Sequence, residues 1–287
     1  MLVSERIGQF FFDDHRIEYT EFGSGDRWVV LVPGPLMPRR MQQPLARTLA
    51  GAGSHVLTLD LLGHGRSDRP EDPLAYSLGG AADQVVTLLD ELGAASAVLG
   101  GVSLGANVCL EVAIRHPQRV RGLLLEMPLL DNAVESGLAV LVPLLLTARF
   151  APLAVTGVRL ATHAVPRGVV PFWAGVGLDL LNQRPGPMAA ALHGLLVGGV
   201  APPSADRRRI GVPALVVGYR FDPVHRETDA VMLAEELPEA TYVGSRSIVE
   251  WRRRPERLDA LALDLVQRCD PSSARRATTL RGARGRQ

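Results

Sequence analysis

Five residues, Gly101-Val102-Ser103-Leu104-Gly105, narrow the fold of this chain more than any others. They form a G-x-S-x-G run between an apolar segment that reads as a strand (residues 97–101) and one that reads as a helix (residues 104–115). A serine on so sharp a strand-to-helix turn is crowded by its neighbours, and a glycine on each side relieves the crowding. Its hydroxyl then stands at a helix N-terminus, where free N–H groups favour developing negative charge. The Leu104 N–H is expected to face that charge.

The rest of the chain supplies the setting such a turn needs. Residues 17–22 read as a strand of an opening antiparallel hairpin. Short apolar runs at 28–32, 55–60, 97–101 and 121–126 alternate with helical spacing around Met41, Leu45 and Leu49, at 84–92 and at 104–115. Strand–helix alternation predicts a mostly parallel sheet covered on both faces. The rhythm breaks over 128–209, which is apolar, helical in pattern and cut by Pro and Gly. It resumes with a strand at 213–218, a helix near 229–236, a strand at 240–243 and a helix from 255 to 268. We therefore expect a core of residues 1–127 and 210–269 and a helical cap of residues 128–209. The Arg-, Ser- and Gly-rich tail, 270–287, has little to bury and is expected to be disordered; a solvated tail and contact with an acidic partner are both open to it.

Composition excludes several function classes. The chain has 287 residues and a formal net charge of +1, which leaves no electrostatic footprint for nucleic acid. All 31 basic residues are Arg, so Schiff-base chemistry and a Walker-type lysine are out. Cys109 and Cys269 are far apart and form no metal-binding spacing; no metal and no cofactor is implied. The opening MLVSERIGQFFFDD carries acids where a cleavable signal would have small residues. The most membrane-like run, 138–148, is short, contains Pro143 and ends at Arg149, so no transmembrane segment is expected. A cytoplasmic location follows from these readings.

With the elbow, the loop Leu61-Leu62-Gly63-His64-Gly65-Arg66-Ser67-Asp68 and the segment Arg115-His116-Pro117-Gln118-Arg119-Val120, the sequence resembles the α/β-hydrolase superfamily over nearly its whole length, from about residue 17 to 268. The resemblance implies the α/β-hydrolase fold, a nucleophile at Ser103, a pocket between sheet and cap, and a structural role for His64. It also implies an orienting acid at Asp222, after the strand at 213–218. In some members the acid follows the preceding strand, where Glu126 stands here. The dehalogenase and epoxide-hydrolase branches carry Asp where this chain has Ser103.

Two elements of the family pattern are missing. The catalytic histidine is expected after the last strand, near 244–248, yet no His follows His225 in the chain. The oxyanion-hole tripeptide, His-Gly-X in the family, is Pro33-Gly34-Pro35, and Pro35 has no N–H to donate. His225, three residues after Asp222, is the nearest replacement base; a loop-exposed side chain is its bland alternative. Leu36 N–H replaces the lost donor if the loop is shifted by one residue. Asp222 is otherwise a turn initiator before Pro223, and Glu126 otherwise a structural ion pair.

The sequence thus predicts a serine-dependent hydrolase or acyl transferase acting on a hydrophobic small-molecule ester, thioester or lactone. Its site would be Ser103, Asp222, His225 and Glu126, with Leu104 and Leu36 holding the oxyanion. The alternatives are a lyase, cyclase or isomerase on the same fold, and a ligand-binding protein that has lost the triad. The apolar surplus of the cap (Leu138, Val140, Leu144, Leu146, Phe150 and others) reads as a lipophilic pocket roof, as plain packing between helices, or as a patch for a homodimer or a carrier protein.

Overall fold

The computed structural model describes residues 3–270; the expectation for the tail, apart from Asp270, lies outside the described residues. Eight strands form one sheet: β1 (Glu5–Phe12), β2 (His15–Phe22), β3 (Trp28–Val32), β4 (His55–Leu59), β5 (Ala97–Val102), β6 (Val120–Glu126), β7 (Ala214–Tyr219) and β8 (Ala240–Ser245), in the spatial order β1-β2-β4-β3-β5-β6-β7-β8. β2 runs antiparallel to β1 and β4, and every other pairing is parallel. The core helices are α1 (Gln43–Gly51), α2 (Leu78–Glu91) and α3 (Leu104–Arg115). Between β6 and β7 come α4 (Val134–Phe150), α5 (Pro152–His163), α6 (Phe172–Leu181), α7 (Pro185–Gly198) and the single turn α8 (Ser204–Arg207). The chain closes with α9 (Glu227–Glu236), α10 (Ile248–Arg253) and α11 (Glu256–Arg268).

The central strands β5 and β7 are buried at every position, as runs covered on both faces must be. One apolar cluster lies under α2, α3 and α9, the other under α1 and α11. Helix α2 begins six residues before the sequence suggested. Gly79 and Gly80 obscure its first turn, and Ser77 caps it by accepting from Gly80 N at 3.0 Å.

The insertion between β6 and β7 is pinned from below at both ends. Asn107, in the first turns of α3, donates from Nδ2 to Leu129 O (2.8 Å) and Val200 O (2.6 Å). Asp229, fully buried on α9, accepts from the backbone N–H groups of Leu130, Asn132 and Ala133 at 2.7, 2.8 and 3.1 Å. The Leu130 and Asn132 N–H groups have no carbonyl to bond at the start of this helical stretch, and Ala133 N–H has only Leu130 O at 3.2 Å, so a carboxylate is well matched to them.

The sequence expected only a short apolar run at 138–148. The structure instead has a continuous helical stretch, Asp131–Phe150, with mean hydropathy 1.6 and only 17% of it buried. By length and composition alone it is able to cross a bilayer. Its inward side chains, Leu141 and Leu145, pack on the core, and α4 lies against α7.

Candidate active site

Ser103 stands between β5 and α3 at φ 55°, ψ −118°. Such a conformation is strained for a residue with a side chain and persists only when surroundings enforce it. They do so here: Ser103 N–H donates to Glu126 O on the next strand (2.9 Å), and Ser103 O accepts from Ala106 N–H (2.9 Å) and Asn107 N–H (3.2 Å). The flanking glycines are obligatory. A Cβ on Gly101 would lie 2.1 Å from Gly105 O, and one on Gly105 would lie 2.2 Å from Val32 O.

Two sequence-predicted residues come together with Ser103. His225 Nε2 stands 2.8 Å from Ser103 Oγ, and His225 Nδ1 stands 3.0 Å from Asp222 Oδ2. Both partners come from the one loop between β7 and α9. The other Asp222 oxygen accepts from Val224 N–H (2.8 Å) and His225 N–H (2.9 Å), which closes the turn that aims the imidazole. Burial alone would raise the Asp222 carboxyl. The hydrogen bond and charge of His225, with the two backbone donors, outweigh that and hold it below the usual carboxylate range. The same loop is tied to the insertion, where Ser136 Oγ donates to Val224 O at 2.6 Å.

Glu126 does not join this group. Its buried carboxylate accepts from Tyr219 Oη (2.5 Å) and from Arg252 Nη2 (2.9 Å). Burial, and then the Glu126 charge, raise the Tyr219 hydroxyl far above its ordinary value, so it remains a donor. The active-site reading of Glu126 is corrected accordingly: the carboxylate closes an ion pair beneath α10. What Glu126 gives the elbow is its backbone carbonyl.

The turn after β3 carries the second oxyanion candidate. Met37 N–H donates to Gly34 O (3.1 Å) and Leu36 has φ 58°. With Pro35 at the preceding position, where φ is negative, this is a type II turn. The turn stands against the elbow, since a Cβ on Gly34 would lie 3.7 Å from that of Ser103. Leu36 is 5% exposed, and its N–H has no acceptor among the described residues. Leu104, the first residue of α3, has no helical carbonyl to accept its N–H either. The sequence reading missed what fixes the turn: buried Gln183 donates from Nε2 to Leu36 O (3.1 Å) while its Oε1 accepts from Arg69 Nη1 (2.9 Å). Nothing in the local sequence around Gln183 signals this; it is a contact across 147 positions.

A cavity of about 810 Å³ opens beside that turn, with Leu36, Arg40, Arg69, Arg167, Asp179 and Gln183 in its wall. Neither Ser103 nor His225 lines it. The expected lipophilic roof is displaced as well: Leu138, Val140, Leu144, Leu146 and Phe150 are solvent-exposed. His64 is buried with Nδ1 at 2.9 Å from Leu62 O, and burial lowers its pKa. Among the described residues no cluster of His, Cys, Asp and Glu is arranged to hold a metal ion.

A mostly parallel eight-stranded sheet with a serine elbow after β5 defines the α/β-hydrolase class. Residues 27–168 match the family model described as the alpha/beta hydrolase fold, and the chain belongs to that superfamily. It is similar to bifunctional epoxide hydrolase 2 of Sus scrofa, 34% identical over 108 residues, which is 37% of this chain and 19% of that protein. It is also similar to 2-hydroxymuconate semialdehyde hydrolase of Pseudomonas putida, 40% identical over 82 residues, 26% of this chain and 29% of that one. The chain thus matches less than a third of the length of either relative. Among solved structures, the enol-lactonase of Burkholderia xenovorans superposes with a TM-score of 0.73 at 21% identity, covering 91% of this chain and all of that one. The 2-hydroxy-6-oxo-6-phenylhexa-2,4-dienoate hydrolase of a Rhodococcus species gives 0.74 at 19% identity, covering 93% and 100%.

Proposed function

We propose that the protein is a serine-dependent hydrolase or acyl transferase acting on the ester, thioester or lactone bond of a small molecule. The observation that carries this reading is the unbroken line from Ser103 Oγ through the His225 imidazole to Asp222. In the resting state Ser103 O–H donates to unprotonated His225 Nε2, and His225 Nδ1–H donates to Asp222. Attack of Oγ on the substrate carbonyl passes the hydroxyl proton to Nε2, and the Asp222 carboxylate stabilises the imidazolium that forms. The tetrahedral oxyanion is held by the N–H groups of Leu104 and Leu36. His225 then returns the proton to the leaving alcohol, thiol or enol. Water, or an acceptor alcohol, releases the acyl group from Ser103 by the same steps in reverse.

The reading relocates the base: His225 comes from the loop after β7 and not from the loop after β8, where the superfamily is expected to place it. A histidine three residues from its acid is supported by the turn geometry just described. Ser103 in the nucleophile position separates this chain from the Asp-dependent epoxide-hydrolase chemistry named for some of its relatives. The tie between Ser136 of the insertion and the loop that carries His225 supports a capping role for the insertion. Cys109 and Cys269 are free thiols, in keeping with a reducing compartment.

Intact mass after treatment with a fluorophosphonate probe tests the proposal. One adduct per chain is expected, absent in Ser103→Ala. In His225→Ala, labelling and ester turnover should fall by about 10⁴-fold or more. An unlabelled but folded wild-type protein, or full labelling of His225→Ala, would overturn the assignment.

A further inference from the structure

Between Gly137 and Leu146 helix α4 is apolar on every side, a pattern that belongs to a helix surrounded by protein or lipid, yet only Gly137 and Ala148 of its residues are buried. Its outward face presents Val140, Leu146 and Phe150, and α5 continues the same surface with Leu153, Val158 and Leu160. Phe150 and Leu153, at the corner between the two helices, are 78% and 86% exposed. Contiguous apolar surface of this kind marks an interaction site.

The charges around it are one-sided. Between residues 136 and 178 there is no Asp or Glu, while Arg149, Arg159 and Arg167 are present. Arg167 is paired with Asp179 at 2.8 Å, a carboxylate it shares with Arg40. Arg149 and Arg159 have no ion pair among the described residues. Exposed leucines and phenylalanine edged by unpaired guanidinium groups are the chemistry of an interfacial surface, with side chains for acyl chains and cations for anionic headgroups. A second copy fits less well. A two-fold contact would set this face against itself and oppose Arg149 and Arg159 across it, with no acid between residues 136 and 178 to compensate.

We propose that the α4–α5 face docks the protein on an anionic lipid bilayer. The helices lie along the surface: α4 stays packed on α7 and the core through Leu141 and Leu145, and only its outer side enters the lipid. The apolar surplus of the insertion, which the pocket does not use, is thereby accounted for. Lipid binding needs no turnover, so it stands apart from the proposed chemistry at Ser103.

Co-sedimentation of the whole protein tests this, using vesicles of phosphatidylcholine alone and of phosphatidylcholine mixed with phosphatidylserine. Analytical ultracentrifugation without vesicles runs alongside. Binding to the mixed vesicles is expected, weakened by salt. It should drop about fivefold for each of Arg149→Gln and Arg159→Gln and be lost in the Leu146→Ser/Phe150→Ser double variant. The arginine variants leave the apolar face untouched and serve if the double variant fails to match wild-type circular dichroism. Sedimentation with neither vesicle, or equal binding to both, would overturn the proposal. So would a dimer that Phe150→Ser dissociates in a protein that ignores vesicles, which would give the face to a second copy of this chain.

Discussion

Asp222 and His225 stand three residues apart, so a single turn carries the proposed base and the carboxylate that meets it. Asp222 works with both oxygens, one on the imidazole and one on the backbone of the turn. Asp222→Asn keeps the shape but exchanges an acceptor for an amide, favouring the wrong imidazole tautomer; kcat should fall by about 10⁴-fold. Glu126→Gln tests the other carboxylate and should behave in the opposite way. It leaves the Arg252 guanidinium with a neutral partner in a site where Glu126 is 4% and Arg252 15% exposed. Unfolding free energy in urea should drop by up to about 3–5 kcal/mol, with kcat of the folded enzyme changed only a few-fold. If Glu126→Gln abolished turnover and spared stability, the orienting acid would have to be reassigned.

At the scale of elements, the insertion is held to the core by a few buried polar groups whose sequence partners lie far off. Asp229 reaches Leu130 across 99 positions, and Asn107 reaches Val200 across 93. Asp229→Ala would strand the backbone donors of Leu130 and Asn132, each costing about 1–3 kcal/mol if left buried and unpaired, and would leave Ala133 N–H only the Leu130 carbonyl. Local opening should follow before global unfolding. Limited proteolysis should therefore cut within 131–150 faster than in wild type while the sheet stays intact; identical cleavage patterns would refute the anchoring role. Strands β3 to β7 and helix α3 were legible in advance because their apolar runs and turn residues are local signals. The anchors were not, since an Asp on a helix and an Asn after an elbow read as surface residues until the partner strand ends are in place.

For the molecule as a whole, pH dependence follows from carboxyls that folding depresses. Asp222 is lowered despite burial by His225 and two backbone N–H groups; Glu236 is lowered despite burial by Arg207 and Ser204. A depressed folded-state pKa means that the unfolded chain binds protons more readily. These contributions are complete above the ordinary values of 3.8 and 4.5, and they are lost as pH falls through the lower folded values. Urea midpoints should accordingly decline on acidification below that range. Asp222→Asn should flatten the decline, and an unchanged slope would remove Asp222 from the balance.

Local chemistry was enough to determine the class of fold and to place Ser103 on its elbow. A G-x-S-x-G run between strand and helix admits few backbone solutions, and strand–helix alternation leaves the sheet mostly parallel. The absence of a late histidine, the loss of an N–H at Pro35 and the acid after β7 were equally plain, because each is a statement about residue types at counted positions. Which imidazole meets Ser103 was another matter. That depends on how the turn after β7 closes and on where its end lies relative to the elbow two strands away, which are distances through space. The same limit applied to Glu126, whose fate was settled by Arg252 arriving from α10, and to the apolar helix α4, whose composition read as a pocket roof until packing turned its face outward.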